Sequence, residues 1–380
     1  MEMTILRLRR SRIFYFLIFF VFVFVFVFSI SEAKPLKKGF SKKEYIDLLG
    51  LCARQIDTPW TKVRMPKPEG YELVYRSSVA GLANRWDLWM SRDSQLVISI
   101  RGTVPTADSW LGNFYSGMVK ANGSLMLSGK KNFQYRLSTD ERALVHVGWL
   151  MALGFLWEDM DRELKSYYSK GFRDLIILGH SQGGAIANLL TAMLKMQQHD
   201  SKLPEDLRIK TYCSAAPKPG NLYYAYSYES LTYDSWAFNV VNAADWVPET
   251  PFSVQTVGDL NSTNPFVNAG ETIRKQKFAT RIAMRRAYRR MKNPTERAMR
   301  RFRKYLGEFA GRLVVKRLPE FQIPEYAVSV NYCRAGIHIS LVPDAAYYEK
   351  FPVTSSNIFI HHMLEPYFVL VQKLPDSLDD

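Results

Sequence analysis

Apolar residues recur along the chain with two periods, one typical of strands and one typical of helices. Short apolar runs predict strands at residues 71–75, 85–90, 96–100, 175–178, 209–214 and 237–242, and wider apolar spacing predicts helices at residues 42–55, 144–165 and 185–196. Because strands alternate with helices, the pattern predicts an α/β fold with a mainly parallel sheet. Chemistry on such sheets lies beyond the C-terminal ends of the strands.

The alternation is interrupted between residues 257 and 319. Asn293, Pro294 and Glu296 form a helix-start pattern, with Asn as the N-cap, Pro at the first helical position and Glu three residues after the cap. An apolar stripe follows at spacings of three and four, formed by Met299, Phe302, Leu306, Phe309 and Leu313. Residues 274–291 are also helix-like and basic. The sequence therefore predicts a basic helical hairpin inserted into the α/β domain at 257–319.

The first 33 residues have the pattern of an export segment. Arginines at positions 7 to 12 precede an uncharged run of 18 residues at 13–30, and the small residues Ser31 and Ala33 form a cleavage pattern. A cleaved signal peptide and an uncleaved membrane anchor both fit this run, since it is just long enough to cross a bilayer. A buried core segment is a third interpretation. Either export interpretation makes the domain at 34–380 secreted, periplasmic or membrane-anchored.

The net charge of +15 is concentrated in one segment. Residues 271–317 hold seventeen Lys and Arg against three Glu, so the rest of the folded domain is near neutral. Cys52, Cys213 and Cys333 are too few for a disulfide framework, and none has metal-ligand spacing. We therefore expect no metal and no cofactor.

The strand predicted at 175–178 leads directly into a Gly-x-Ser-x-Gly turn, and the helix predicted at 185–196 follows it. This order is typical of a nucleophile elbow, a sharp turn that exposes the hydroxyl of Ser181. Gly179 and Gly183 suit the turn because the backbones approach too closely for a Cβ atom. The motif by itself can also arise by chance in a chain of this length.

A serine nucleophile needs a base and an orienting acid, which in elbow hydrolases follow it in the order acid, then histidine. Asp245 lies just beyond the strand predicted at 237–242, whereas Asp259 lies farther along on a polar stretch. His338, His361 and His362 come after both aspartates. From the residues alone, Asp245 is the stronger acid candidate and all three histidines are candidate bases.

Four separated motifs resemble one known family, the class 3 (fungal-type) lipases of the α/β-hydrolase superfamily. They are ISIRGT followed by Trp110, VHVGW at 145–149, GHSQGG at 179–184, and the pair AAPKPGN and VNAADWVP at 215–221 and 241–248. The resemblance spans about residues 70–256 and resumes near residue 325. It implies the α/β-hydrolase fold, with the inserted helices as an addition to it.

The resemblance also implies roles for individual residues. Ser181 is expected to be the nucleophile and Asp245 the acid, with Thr103 in the oxyanion hole beside the backbone N–H of Gln182. His362 fits the family's base best, because an apolar stretch ending in a tyrosine follows it; His361 is the alternate.

A short lid is expected after the oxyanion residue, from Val104 to Asn113, and it includes Trp110. The alternative is a tryptophan packed permanently on the core.

These features predict an exported carboxylic ester hydrolase that acts on lipid esters at an interface, with acylglycerols as the expected substrates. Phospholipids and feruloyl-type esters are alternative substrates, and a catalytically idle lipase-like binding protein is the alternative of another class. For residues 271–317 we expect an anionic membrane surface as the partner, a solvated cap over the site being the second interpretation. Binding of nucleic acid is not expected in an exported protein.

Overall fold

The computed structural model describes residues 35–55, 65–354 and 356–375. The predicted export segment at 1–33 lies outside these residues. Within them, no helix has the length and apolar character needed to cross a membrane.

The strands and helices of the described residues are numbered here in chain order. The strands are β1 Tyr71–Arg76, β2 Trp86–Ser91, β3 Leu96–Ile100, β4 Met118–Lys120, β5 Asn122–Ser128, β6 Lys131–Arg136, β7 Leu144–His146, β8 Asp174–His180, β9 Arg208–Ser214, β10 Gly220–Asn221, β11 Ala237–Asn242, β12 Tyr332–Cys333 and β13 Ile337–Leu341. The helices are α1 Lys42–Ala53, α2 Ala107–Phe114, α3 Val147–Ser169, α4 Gln182–His199, α5 Leu222–Leu231, α6 Ala269–Arg274, α7 Phe278–Phe302, α8 Ala310–Arg317, α9 Ala345–Lys350 and α10 Leu364–Val371.

One seven-stranded sheet organises the domain, in the order β1-β2-β3-β8-β9-β11-β13. The strands from β3 to β13 are parallel, and β1 and β2 add antiparallel neighbours at one edge. A smaller sheet, β12-β10-β7-β4, and the β5-β6 hairpin lie beside it. The parallel sheet flanked by helices confirms the predicted α/β-hydrolase fold.

Both faces of the large sheet are covered by apolar side chains. Ile98 and Ile177 pack into the larger core, together with residues of α3 and α4. Val97 and Ile176, their neighbours along the strands, point into a second core with residues of α1 and α10. Burial on both faces explains why the central strands are continuous apolar runs in the sequence.

The structure differs from the prediction at the inserted segment. Helix α7 runs through Asn293 and Pro294 instead of ending there, and it continues through a π-helical segment, Arg303–Phe309, into α8. The chain therefore does not fold back, and the predicted hairpin is replaced by consecutive helical segments. Met299 and Val314 are buried and anchor the continuation, which outweighs the hydrogen bond that a proline removes. The three cysteines are free thiols.

The backbone at the start of α3 packs directly against the end of α2. The N–H of Gly148 donates to the carbonyl of Tyr115 at 3.0 Å. A Cβ atom on Gly148 would lie 2.1 Å from the carbonyl oxygen of Gly112. The glycine of the VHVGW motif is therefore required by this helix contact.

We predict that Gly148→Ala lowers the free energy of unfolding by about 3 kcal/mol, because backbone has to move to admit the methyl group. Gly270→Ala is the matched control, since no atom lies within 4 Å of its added Cβ. Its unfolding free energy should change by less than about 1 kcal/mol. Urea unfolding of both variants measures the difference, and equal stabilities would contradict the packing described.

Candidate active site

Ser181 lies at the tip of a sharp turn between β8 and α4. Its backbone has φ 59° and ψ −130°, a conformation that costs a non-glycine residue roughly 1–3 kcal/mol. The N–H of Ser181 donates to the carbonyl of Ser214 at 2.9 Å, which helps to hold the turn. The elbow predicted from the sequence therefore has the expected backbone shape.

The two elbow glycines permit the close approach on which this turn depends. A Cβ atom on Gly179 would lie 2.1 Å from the carbonyl carbon of Gly183. A Cβ atom on Gly183 would lie 2.2 Å from the carbonyl oxygen of Ile100, at the end of β3. Neither position can hold a larger residue unless the backbone shifts.

A continuous hydrogen-bonded path connects Ser181 to a buried carboxylate. Nε2 of His362 lies 2.8 Å from Oγ of Ser181, and Nδ1 lies 2.7 Å from Oδ2 of Asp245. Asp245 follows β11, and His362 lies in a 3₁₀ turn before α10. When Nδ1–H donates to the carboxylate, Nε2 is free to accept the serine proton.

Two further donors fix the carboxylate. The hydroxyl of Tyr367 donates to Oδ2 of Asp245 at 2.8 Å, and the N–H of Val247 donates to Oδ1 at 3.0 Å. The Asp245 side chain has no exposed surface. A buried, fully hydrogen-bonded carboxylate can hold the imidazole of His362 in one orientation.

The alternative candidates lie elsewhere. Nδ1 of His361 is 2.8 Å from the hydroxyl of Tyr347, and partial burial lowers the pKa of His361. His338 lies on β13, opposite Asn239 of β11. Asp259 accepts from the backbone N–H and the hydroxyl of Thr256, both at 2.7 Å. Of the candidate acids and bases, the structure therefore brings only Asp245 and His362 to Ser181.

A second series of hydrogen bonds supports the main chain of His362. The ring of His180 lies 3.0 Å from Oγ of Ser214 through Nδ1, and 2.8 Å from the carbonyl oxygen of His362 through Nε2. Oγ of Ser214 lies 2.6 Å from the hydroxyl of Tyr45 on α1. Burial lowers the pKa of His180 to about 3, so its ring is neutral.

Nothing in the sequence indicated these hydrogen bonds between Tyr45, Ser214, His180 and His362. Tyr45 and Ser214 are far from the elbow along the chain, and His180 has only a packing role when it is interpreted from the motif. Both ring nitrogens of His180 are engaged, one with the hydroxyl and one with the main chain of the base candidate.

The residues expected to form an oxyanion hole lie beside the elbow. A Cβ atom on Gly102 would lie 2.8 Å from the carbonyl oxygen of His180 and 3.6 Å from Cβ of Ser181, so this backbone passes next to the serine. Thr103 follows, and its hydroxyl donates to Oε1 of Gln182 at 3.0 Å. Gln182 is the first residue of α4, where a backbone N–H has no partner within the helix.

Asn113 is a supporting residue that the sequence did not indicate. Its Nδ2 donates to the hydroxyl of Thr103 at 2.9 Å, and its Oδ1 accepts from Nε1 of Trp149 at 3.0 Å. Its carbonyl oxygen lies 3.1 Å from Nε2 of His146. His146 also caps α3 and stacks on Trp149, and burial lowers its pKa to about 3. His146 and Trp149 of the VHVGW motif thus position Asn113, and Asn113 in turn positions Thr103.

A group of aromatic side chains lies beside His362. Trp110 of α2 lies with its ring centroid 6.0 Å from Phe114 and 5.8 Å from Phe359, and Phe359 lies 5.3 Å from Trp246. Phe359 also lies 6.2 Å from the His362 ring. We call Trp110, Phe114, Trp246 and Phe359 the aromatic rim. Phe114 is 58% exposed and Trp246 39% exposed, so the rim combines ring contacts with open apolar surface.

The segment predicted as a lid contains all of α2 except its last residue, Phe114. The N–H of Val104 donates to Oγ of Ser109 at 3.1 Å and leads the chain into the helix. Trp110 is only partly buried, and its ring contacts other rim residues. Opening of this segment stays a prediction.

We predict that a fluorophosphonate probe labels Ser181 in the parent protein and in His361→Gln, but at least about a thousandfold more slowly in His362→Gln, because only His362 can take the serine proton. The two adjacent histidines form a matched pair. Intact-mass measurement of labelling rates compares them. Slow labelling of His361→Gln together with fast labelling of His362→Gln would contradict the geometry.

One family model and several solved structures match parts of the chain. Residues 97–255 match the model of the family described as Lipase (class 3). No curated protein sequence matches the chain. Among solved structures, the chain is similar to the Rhizomucor miehei lipase–propeptide complex, with 18% identity and a TM-score of 0.40. That alignment covers 55% of this chain and 61% of the other.

A Yarrowia lipolytica lipase, Lip2, is similar at 18% identity over 58% of this chain and 78% of its own, with a TM-score of 0.39. A fungal lipase–inhibitor complex is similar at 19% identity over 55% and 74%, with a TM-score of 0.43. The family match at 97–255 includes the oxyanion, elbow and acid motifs. Residues 97–255, less than half of the chain, therefore resemble the class 3 lipases.

Proposed function

We propose that the protein is an exported lipase that hydrolyses acyl esters, with acylglycerols as its substrate class, through Ser181, His362 and Asp245. One observation carries this proposal. The serine hydroxyl, the imidazole and the buried carboxylate form an unbroken hydrogen-bonded path at the tip of the elbow. The aromatic rim beside that path suits an ester with apolar chains.

The proposed reaction proceeds through an acyl-enzyme. His362 takes the proton of Ser181 as Oγ attacks the ester carbonyl carbon, and the π electrons of the carbonyl move onto its oxygen. That oxyanion accepts hydrogen bonds from the backbone N–H groups of Thr103 and Gln182, each contributing about 3 kcal/mol. As the intermediate collapses, the bond to the alcohol breaks and His362 protonates the departing oxygen.

Water completes the cycle. His362 removes a proton from the water as its oxygen attacks the acyl carbon. The bond from the acyl group to Oγ of Ser181 then breaks, and His362 returns the proton to Oγ. Asp245 keeps the imidazole in the required tautomer and stabilises its charged form in both halves. The contact from His180 to the carbonyl of His362 restrains the backbone of the base, which lowers the reorganisation needed.

The proposed location is outside the cytoplasm. The basic residues before the apolar run at 13–30 support export to the medium or periplasm, or attachment through this run as an anchor. At that location we propose an anionic membrane surface as a partner of residues 271–317. Phospholipids and feruloyl-type esters are the competing substrate classes for the same site.

We predict that the protein hydrolyses p-nitrophenyl acyl esters and that Ser181→Ala lowers kcat by at least about a thousandfold, because the nucleophile is lost. Ser124→Ala, at an exposed serine of β5, is the matched control and should retain the parent rate. The same assay over several acyl-chain lengths, followed by triacylglycerol and phospholipid emulsions, defines the substrate class.

Two results would contradict the proposal. Equal, negligible hydrolysis by the parent and by Ser181→Ala would favour an idle lipid-binding protein. Faster turnover of phospholipid or feruloyl esters than of acylglycerols would retain the mechanism but replace the substrate class.

A further inference from the structure

The amino-terminal part of α7 projects from the body of the protein. From Phe278 to Arg290 every side chain is exposed or only partly buried, and Phe278 is 70% exposed. Burial returns at Met299, where the helix approaches the domain. About three turns of helix therefore lack a packing partner within the described residues, although an isolated helix of this length is marginal in water.

This exposed helix carries a high density of positive charge. Between its first and last residues α7 contains eight Arg and one Lys, against one Glu. Glu296 pairs with Lys292 at 3.5 Å and with Arg300 at 3.9 Å. Arg285, Arg286, Arg289 and Arg290 are exposed and form no ion pair with any described residue. We call these four residues the arginine cluster.

An apolar strip runs along the same helix. Met284, Tyr288 and Met291 follow one another at spacings of four and three, so they share one side of the helix. Met284 is 38% exposed and Met291 63% exposed. The spacing continues through the polar Thr295 to Met299 and Phe302, which contact the body. The strip is thus a packing surface with a partner at its Met299 end, and at its Met284 end no described residue covers it.

We infer that α7 is the membrane-docking helix of this enzyme, with the arginine cluster bound to anionic lipid headgroups and the strip from Met284 to Met291 inserted among the upper acyl carbons. An exposed helix that is strongly basic on one side and apolar on the other has the composition that favours such an interface. A nucleic acid would satisfy the charge but leave the methionines in water. The inference rests on the proposed lipase function, since that function requires contact with a lipid surface.

The helical segment contacts the body of the protein at Phe302 and again at Arg317. The ring of Phe302, the last residue of α7, stacks on Phe252 with centroids 6.0 Å apart, on the chain that follows Asp245. At the other end of the segment, Nε of Arg317 lies 3.1 Å from Oδ1 of Asp108 in α2. The continuous helical segment from α7 to α8 therefore contacts two stretches of chain that also carry rim residues, the loop that contains Trp246 and the helix that contains Trp110. Binding of α7 to a bilayer would hold the aromatic rim close to the lipid surface.

The test follows a fluorophore on α7 in the full-length protein. An environment-sensitive NBD label on Met291→Cys is placed in a Ser181→Ala, Cys333→Ser background, so that lipids are not hydrolysed and the half-buried thiol is removed. We expect a blue shift with vesicles of phosphatidylcholine plus phosphatidylglycerol, and none with phosphatidylcholine alone. A label on Lys130→Cys, outside the segment, should not shift with either vesicle. This readout does not depend on whether the export segment remains attached.

The second part of the experiment compares vesicle binding by two variants that each lose four positive charges. Replacing the arginine cluster with glutamine should weaken the partition constant for anionic vesicles by roughly 600-fold, at about fivefold for each side chain. Replacing Lys37, Lys67, Lys120 and Lys130 with glutamine removes the same charge from other exposed positions and should have less than about a tenth of that effect.

Three outcomes would overturn the inference: no shift at residue 291 with anionic vesicles, equal effects of the two charge variants, or displacement of the vesicles by duplex RNA at equal phosphate concentration. Hydrolysis of a soluble short-chain ester is measured separately on variants that retain Ser181. If that activity is present while the vesicle results are negative, only the docking inference fails. If that activity is absent, the proposed function fails.

Discussion

The close approach of β8 and α4 at the elbow is the constraint on which the rest of the site depends. Gly179 and Gly183 leave no room for a Cβ atom, and Gly183 also lies against the end of β3. This contact forces Ser181 into a strained backbone conformation at the edge of the sheet. The burial of the central strands on both faces supplies the stability that holds the strain.

The parallel sheet brings distant parts of the chain to that edge. Asp245 follows β11 and His362 precedes α10, so the proposed acid and base come from loops more than a hundred residues apart that meet at Ser181. The supporting contacts are equally distant, since Tyr45 of α1 reaches Ser214 beneath the elbow. The preorganisation that the proposed chemistry requires is therefore a property of the whole fold.

The sequence predicted the parts of the structure in which local pattern and tertiary packing agree. The bounds of β3 and β11 follow from apolar runs, and the elbow follows from its glycines. Asn113, Tyr45 and Ser214 could not be found, because polar residues that are joined only by the fold share no local pattern. The helix start predicted at Pro294 is wrong. A helix that begins at Phe278 runs through this position, because the buried Met299 anchors its continuation.

A structure of the protein with a phosphonate bound covalently would test the central claim most directly, because a tetrahedral phosphonate stands in for the intermediate of ester hydrolysis. The account predicts a bond from phosphorus to Oγ of Ser181, with Nε2 of His362 within hydrogen-bond distance. It also predicts a phosphoryl oxygen at about 2.7–3.1 Å from the backbone nitrogens of Thr103 and Gln182. A phosphorus bonded to another residue, or a phosphoryl oxygen directed away from both nitrogens, would contradict it.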